Sequence, residues 1–427
     1  MISLNKTDLR FFQGWHFALK IFFLWILLVP AFLFSQKETE EQKGDPLFRS
    51  AFNKYEQKLY KEAYEDYSAY LKRKPGDPIA LYNRGLCSYA MHDFSTSMRD
   101  LKESIALGRK SPEAYYLLGD CLYAMGDYSG AIVDFDACLE MKPNYYKSLT
   151  FKGASLNNLG KYAEGLRCLD ESAWISNEFE PTYYSRAISR YYLKNYSGGL
   201  EDCERALKLK ESIETHFWKG VNLIGLKKYA EAIKEYNYVI SEKPKYAEAW
   251  YNRGLAYFDL GEYAQSIKDN NECIALDPLH SKAHYNRALS YFYLGDYPKA
   301  ETDFNSAIAM GLNDYKSFCF RGATYYMLKN DELALADLNK SVELNKEYET
   351  SYYYRARLKF ALMDDRGCVD DCDKALALKK TYDVLYQRGI ARYALRDYAG
   401  AIDDFNESLS LKKDYPPALQ ERGITYY

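Results

Sequence analysis

The side chains that could perform chemistry in this 427-residue chain are few, and they lack the arrangement that catalysis needs. His280 and His284 have the spacing of a metal-binding pair on a helix, but no further histidine or cysteine ligand follows nearby. Cys368 and Cys372 lie one helical turn apart, which favours a shared buried face over a redox pair. No glycine-rich phosphate loop follows a strand pattern. We therefore predict no catalytic residue, no metal site and no cofactor-binding site.

Charged side chains recur at a fixed spacing in two columns. The basic column contains Arg84, Lys152, Arg186, Lys219, Arg253, Arg287, Arg321, Arg355, Arg388 and Arg422. The acidic column contains Asp66, Asp100, Asp134, Asp202, Glu235, Asp269, Asp303, Asp337, Asp371 and Asp404. Two hypotheses fit this pattern: a ladder of ion pairs that joins neighbouring helices, or an arginine-lined groove that binds acidic peptides. Exposed pairs contribute only about 0.2–1 kcal/mol each, so a ladder would set helix register more than stability.

Small residues form two further columns, which must position the charged ones. The first directly follows the basic column and contains Ala51, Gly85, Gly119, Gly153, Ala187, Gly220, Gly254, Ala288, Gly322, Ala356, Gly389 and Gly423. The second lies twelve residues later and contains Ala63, Ser97, Ala131, Gly165, Gly199, Ala232, Ser266, Ala300, Ala334, Cys368 and Ala401. Only small side chains let two helices approach closely, so each pair of positions predicts a helical hairpin. Self-similarity with this period predicts a solenoid whose repeats pack on their neighbours.

One repeat, residues 247–280, shows what surrounds the small positions. Trp250 and Gly254 lie at helical spacing, Gly261 ends the first helix, and Pro278 ends the second. This order of an aromatic, a small residue, an aromatic, a second small residue and a closing proline resembles the tetratricopeptide repeat (TPR). The resemblance implies an all-α fold, a right-handed α-solenoid of stacked antiparallel helical hairpins that forms a TPR superhelix. It divides the chain into eleven repeats (44–77, 78–111, 112–145, 146–179, 180–212, 213–246, 247–280, 281–314, 315–348, 349–381 and 382–415) and a terminal helix at 416–427, which is a cap or a partial repeat.

A longer period overlies the short one. Residues 146–154 align with residues 315–323, which indicates that a five-repeat block, about 44–212, was duplicated to give 213–381. The duplication indicates either shared ancestry alone or two related binding surfaces.

The resemblance also implies where a partner would bind, because the first helices of such repeats line the concave face. Carried onto this chain, it predicts a partner-binding groove lined by Tyr82, Tyr116, Tyr184, Tyr251, Tyr285, Tyr353 and Tyr386 at one position and by Tyr89, Tyr123, Tyr191, Phe258, Phe292, Tyr326 and Tyr393 at another. Tyrosine offers a large rigid surface and a hydroxyl, which suits peptide recognition, although aromatic residues also serve packing in this repeat. Asn252, Lys282 and Asn286 match part of a clamp for a C-terminal carboxylate. Since the clamp is incomplete, we add Asn252 and Asn286 to the groove without predicting that ligand.

The N-terminal residues do not share the repeat. Basic residues precede an apolar run at 21–34, which is shorter than the roughly 20 residues that span a bilayer. Residues 1–35 are therefore typical of a signal peptide, and the alternative is an uncleaved N-terminal membrane anchor with possible membrane attachment through residues 17–34. Residues 36–43 form a short polar linker. Both alternatives predict an exported protein that is periplasmic or associated with the cell envelope.

The composition limits the class of partner. The net charge is −3, so the chain lacks the basic footprint of proteins that bind nucleic acid. Most of the nine cysteines fall in inward-facing columns, and we expect free thiols that fill the core. These patterns predict an exported, non-catalytic scaffold that binds a protein or peptide segment in its groove, for envelope assembly or secretion. A regulatory subunit of an envelope enzyme is one alternative, and an enzyme is another.

Overall fold

The computed structural model describes Gln42 and residues 44–426, and all regular structure in these residues is α-helical. We call the two helices of each repeat its first and second helix. The first helices are α1 (Pro46–Glu56), α3 (Pro78–Ala90), α5 (Pro112–Ala124), α7 (Tyr146–Asn158), α9 (Glu180–Tyr192), α11 (Ile213–Gly225), α13 (Ala247–Asp259), α15 (Ser281–Leu294), α17 (Tyr315–Met327), α19 (Glu349–Ala361), α21 (Tyr382–Ala394) and α23 (Pro416–Thr425). The second helices are α2 (Tyr60–Arg73), α4 (Phe94–Ala106), α6 (Tyr128–Met141), α8 (Tyr162–Ile175), α10 (Tyr196–Leu209), α12 (Tyr229–Glu242), α14 (Tyr263–Leu276), α16 (Tyr297–Ala309), α18 (Asp331–Leu344), α20 (Asp365–Leu378) and α22 (Tyr398–Leu411).

The chain divides after Lys227 into two compact parts. The N-terminal part contains α1–α11, and the C-terminal part contains α12–α23. Within each part, every hairpin packs its two helices on each other, and each second helix packs on the next first helix. The predicted all-α fold of stacked helical hairpins is therefore confirmed in both parts. The division of the sequence into eleven repeats stays a prediction.

Local sequence signals start the helices and turn the chain between them. At the start of α3, the Asp77 carboxylate accepts hydrogen bonds from the N–H groups of Ile79 and Ala80, and Pro78 occupies the first helical position. The turn inside a hairpin places one residue at positive φ. Glycine fills that position in four hairpins, at Gly126, Gly160, Gly261 and Gly295, while seven other residues adopt it: Lys58, His92, Lys194, Lys227, Lys329, Met363 and Arg396. The turn geometry is therefore kept even where the residue type disfavours it.

The two columns of small residues mark where the helices of one hairpin touch. A Cβ atom added at Gly153 on α7 would lie 2.6 Å from Leu169 Cγ and 3.0 Å from the Gly165 carbonyl oxygen, both on α8. Optimal separation between carbon atoms is about 3.5–4.0 Å, so the crossing has no room for a side chain. The close approach predicted from the small residues is confirmed.

The prediction of export to the periplasm or cell envelope is wrong. Among the described residues, no helix is long and apolar enough to cross a membrane, and the longest helices have 14 residues. A helix of that length measures about 21 Å, which is shorter than the ~30 Å hydrocarbon core of a bilayer. The apolar run 21–34 and the rest of residues 1–35, on which the signal peptide or anchor depends, lie outside the described residues. Export, membrane attachment and an envelope role are therefore not proposed for this protein.

Candidate functional site

The candidate site is built on consecutive first helices that touch one another. In the N-terminal part, α5, α7, α9 and α11 contact in that order, and in the C-terminal part, α13, α15, α17, α19, α21 and α23 do so. We call each of these two series a first-helix row. Corresponding residues of successive repeats therefore lie side by side along a row. Within each helix, side chains four positions apart share one face.

All sixteen residues predicted for the groove lie on first helices, and none is exposed. Five are buried, namely Tyr82, Tyr89, Tyr116, Asn286 and Phe292. Eleven are half-buried, namely Tyr123, Tyr184, Tyr191, Tyr251, Asn252, Phe258, Tyr285, Tyr326, Tyr353, Tyr386 and Tyr393. The part that these residues play in binding stays a prediction. Only the half-buried ones offer area to a ligand without rearrangement of the helices.

The buried members have partners inside the protein. The guanidinium of Arg109 lies 4.0 Å from the centre of the Tyr82 ring, and the Tyr89 hydroxyl donates a hydrogen bond to the Asp120 carboxylate. Burial raises the pKa of Asp120 to about 6, although the Tyr89 hydrogen bond and the charge of Lys147 oppose that shift. These tyrosines therefore serve packing and internal hydrogen bonding.

Aromatic residues contact each other from one first helix to the next. Ring centres are 5.6 Å apart between Tyr123 and Phe151 and 5.8 Å apart between Tyr191 and Trp218, both in the N-terminal part. In the C-terminal part, the corresponding distance between Phe258 on α13 and Tyr293 on α15 is 5.7 Å. Such distances fall in the range of stabilising aromatic pairs. Each row therefore presents aromatic surface that crosses helix boundaries.

Part of this surface was not predicted from the sequence. Trp218 directly follows a groove position, and Tyr192 and Tyr293 directly follow the groove residues Tyr191 and Phe292. Tyr192 and Tyr293 stack on the tyrosine that begins the second helix of the preceding hairpin: Tyr162 at 4.1 Å and Tyr263 at 5.3 Å. The signal that would have found them is an aromatic pair at the end of a first helix.

The two asparagines of the predicted groove differ in their environment. The Asn252 amide donates to the Glu248 carbonyl oxygen of its own helix at 2.7 Å. Asn286 is buried, and among the described residues neither its amide nitrogen nor its amide oxygen has a hydrogen-bond partner. Their positions are compatible with a groove, and no ligand contact is assigned to them.

The arginines of the basic column are engaged by protein groups. Arg253 donates from Nε and Nη2 to both carboxylate oxygens of Asp269, each at 2.8 Å, on the second helix of its own hairpin. Its Nη1 donates to the Asn237 side-chain oxygen at 2.6 Å, on the preceding second helix. One guanidinium thus joins three helices. Similar connections to an acid and to an asparagine or aspartate recur at Arg186, Arg287, Arg321, Arg355 and Arg388.

The ion-pair ladder is confirmed at the arginines that bond the acid of their own hairpin: Arg84, Arg186, Arg253, Arg287, Arg321, Arg355 and Arg388. The alternative, an arginine-lined groove open to acidic peptides, does not hold for these arginines. The side chain of Arg253 is 15% exposed and that of Asp269 is 6% exposed, so these pairs are largely buried. Burial would raise the pKa of Asp303, but hydrogen bonds from Arg287 and His284 bring it below its usual value. A buried pair loses much more stability when one partner is removed than an exposed pair does. The small contribution to stability that we expected from exposed ion pairs therefore does not apply to these buried pairs.

One step of the ladder lacks its arginine. Leu118 occupies the basic column in the third repeat, so the acid of that hairpin, Asp134, has no guanidinium sixteen residues before it. Burial raises the pKa of Asp134 to about 6, and the charge of Lys102 opposes the shift. At Asp269 and Asp404 burial also raises the pKa, and there the partner arginine opposes the shift through hydrogen bonds and charge.

The remaining candidate residues have structural roles. His280 caps α15 by accepting a hydrogen bond from the Ala283 N–H at 3.0 Å, and His284 lies 3.2 Å from the Asp303 carboxylate. All nine cysteines are free, and all but Cys168 are buried, in agreement with the predicted core thiols. Cys368 and Cys372 share one buried face of α20.

Comparisons with known proteins identify the type of repeat. Residues 112–145, 247–279 and 281–310 match the family described as Tetratricopeptide repeat, and residues 224–261 match that described as TPR repeat. No curated protein matches the chain.

Among solved structures, the chain is similar to the APC/C hetero-tetramer Cut9–Hcn1, with 14% identity, a TM-score of 0.51 and coverage of 89% of each chain. It is also similar to a tetratricopeptide repeat protein from Parabacteroides merdae, with 20% identity, a TM-score of 0.45 and coverage of 58% of this chain and 98% of the other. A third similar structure is YrrB, a TPR protein with an unusual peptide-binding site, with 17% identity, a TM-score of 0.36 and coverage of 44% and 97%. The first of these similarities supports the fold.

Proposed function

We propose that the chain is a non-catalytic scaffold that binds a protein or peptide segment along a first-helix row, because several of its segments match tetratricopeptide-repeat models. The observation that carries this proposal is the partly exposed aromatic surface that continues from one first helix to the next. Tyr293, for example, is 48% exposed while its ring contacts Phe258 on the neighbouring first helix. Such a surface buries further apolar area when a segment lies across it.

The same contacts lower the cost of binding. Rings that already rest on neighbouring rings lose little rotamer freedom when a ligand arrives, so less of the interaction free energy is lost to ordering. The rows stand on hairpins that the arginine ladder and the close helix crossings hold in place. We infer a rigid surface whose affinity comes from aromatic burial, because the ladder arginines already have partners.

The experiment uses a library of random 15-residue peptides displayed on phage, selected on the purified full chain. Selected peptides are then incubated with two variants that carry photoreactive benzoylphenylalanine, one at Tyr293 and one at Leu344. Leu344 is the matched control, because it is 45% exposed but ends the second helix α18.

We expect selected peptides to cross-link through position 293 and not through position 344. Cross-linking through position 344 alone, or a library that yields no binding peptide, would refute binding along the first-helix row.

A further inference from the structure

One arginine of the C-terminal part stands outside the ladder. Arg357 lies on α19 directly after the small residue Ala356. The same position is apolar in neighbouring repeats, where it is occupied by Leu289, Ala323 and Ile390. A charged residue at this position therefore needs an explanation other than helix packing.

The Arg357 guanidinium lies between two tyrosine rings of the first-helix row. Its Cζ atom is 5.3 Å from the ring centre of Tyr326 on α17 and 5.7 Å from that of Tyr353 on its own helix. All three side chains are half-buried, so the group is partly shielded from water but remains accessible. Tyr326 and Tyr353 were both predicted from the sequence to line the groove.

Arg357 has no carboxylate partner. Among the described residues, no ion pair and no hydrogen bond involves its guanidinium, which lies over the two rings. Arg355, two residues earlier on the same helix, donates twice to Asp371 at 2.7 Å and once to Asn339 at 2.9 Å. The guanidinium of Arg355 is thus engaged by protein groups, whereas the five N–H donors of Arg357 are open to a ligand.

The surrounding charges indicate which anion fits. Asp383 on α21 lies near enough to influence Tyr353, and its carboxylate accepts a hydrogen bond from the Val384 N–H at 3.0 Å. Burial raises the pKa of the Tyr353 hydroxyl to about 12, with Arg357 opposing the shift, so this hydroxyl stays protonated and can donate. A single guanidinium matches the charge of a singly charged group, whereas a phosphate dianion would keep one unmatched charge.

We propose that Arg357, with Tyr326 and Tyr353 as aromatic walls, binds a carboxylate of a peptide that lies along the first-helix row of the C-terminal part. The planar guanidinium matches the two oxygens of a carboxylate and forms paired hydrogen bonds with it. An aspartate or glutamate side chain and a peptide C-terminus present the same chemistry. This inference rests on the proposed function and names the charge of the ligand.

The test measures fluorescence anisotropy with four labelled 12-residue peptides. The first alternates glutamate and leucine and has an amidated C-terminus, and the second replaces every glutamate with glutamine. The third is the glutamine peptide with a free C-terminal carboxylate, and the fourth carries phosphoserine in place of glutamate. Each peptide is titrated with the full chain, with Arg357→Gln, and with Arg366→Gln as the matched control, since Arg366 is an exposed arginine on the second helix α20.

We expect Arg357→Gln to raise the Kd of the glutamate peptide about tenfold, to leave the Kd of the amidated glutamine peptide unchanged, and Arg366→Gln to affect neither. An effect confined to the third peptide would assign the carboxylate to the chain end. Equal Kd values for the glutamate peptide and both glutamine peptides, equal effects of both substitutions, or tighter binding of the phosphoserine peptide through Arg357 would each overturn carboxylate recognition while leaving peptide binding in place. Failure of all four peptides to bind the unaltered chain would overturn both proposals. Unchanged melting of the two variants, followed by circular dichroism, confirms that both remain folded.

Discussion

Replacing Gly153 with alanine tests the close crossing of helices in one hairpin, because it adds a single methyl group at the contact. The new Cβ atom would lie 2.6 Å from Leu169 Cγ and 3.0 Å from the Gly165 carbonyl oxygen. The first atom is a branch point close to the backbone and the second belongs to the backbone. Neither can turn aside, so α7 and α8 have to move apart by several tenths of an ångström.

The expected magnitude combines two opposing effects. In an open helix, the change from glycine to alanine stabilises by about 1 kcal/mol. Overpacking of a tight contact costs about 1–3 kcal/mol, so we expect a net loss of about 1 kcal/mol at Gly153. Gly423→Ala is the matched control: it occupies the same column on α23, and nothing lies within 4 Å of its added Cβ. At Gly423 only the stabilisation of the helix by alanine remains. The free energies of unfolding of the two variants should therefore differ by about 2 kcal/mol.

The assay is hydrogen exchange read by mass spectrometry, because a repeat array opens locally and a single melting curve averages over its hairpins. Gly153→Ala should speed exchange in α7 and α8, and Gly423→Ala should slow it in α23. If the two variants slow exchange equally in their own helices, the hairpin crossing is not tight and the reasoning from small residues fails.

Three further predictions concern the turns and the ladder. Met363 is 85% exposed with a φ of 62°, so Met363→Gly should raise the urea midpoint by an amount equivalent to about 1 kcal/mol, whereas Gly261→Ala, at a φ of 81°, should lower it. Burial raises the pKa of Asp134 from 3.8 to about 6, so protonation favours the folded state and stability falls as the pH rises between these values. Asp134→Asn should flatten that dependence and, after allowance for solvent screening, add on the order of 1 kcal/mol at pH 7, as measured by urea denaturation from pH 4 to 7. Arg253→Ala should lose about 2–3 kcal/mol by leaving Asp269 buried without its partner, and adding Asp269→Asn should recover part of that loss in a double-mutant cycle.

The hairpins could be predicted because their cause is local. A small residue at Gly153 and another at Gly165, twelve positions later, have few explanations other than two helices that cross. The basic and acidic columns likewise gave the correct pairing of Arg253 with Asp269 as one of two hypotheses. What decided between them was burial, which depends on how neighbouring hairpins stack and is not written in any single repeat.

The candidate site was less predictable for the same reason. Tyr82 and Tyr251 occupy equivalent positions in their repeats, yet the first is buried and the second is half-buried. Whether a ring faces inward depends on the residues that each adjacent helix supplies. The asparagine partners Asn237, Asn271 and Asn305 recur at the repeat spacing but were not predicted, because they carry no charge.

The arginine ladder also bears on how such an array can change its length. Each ladder arginine bonds sixteen residues forward within its own repeat and about sixteen residues back into the preceding one. A newly inserted whole repeat would bring its own arginine, acid and asparagine, and it would complete the bonds of both flanking units. Gain or loss of complete units then leaves every charged side chain with its partner. Gain of half a unit would leave a charged side chain unpaired. Growth by tandem copying is thus chemically permitted at junctions between repeats that carry all three residues, such as the junction where Arg287 bonds Asn271.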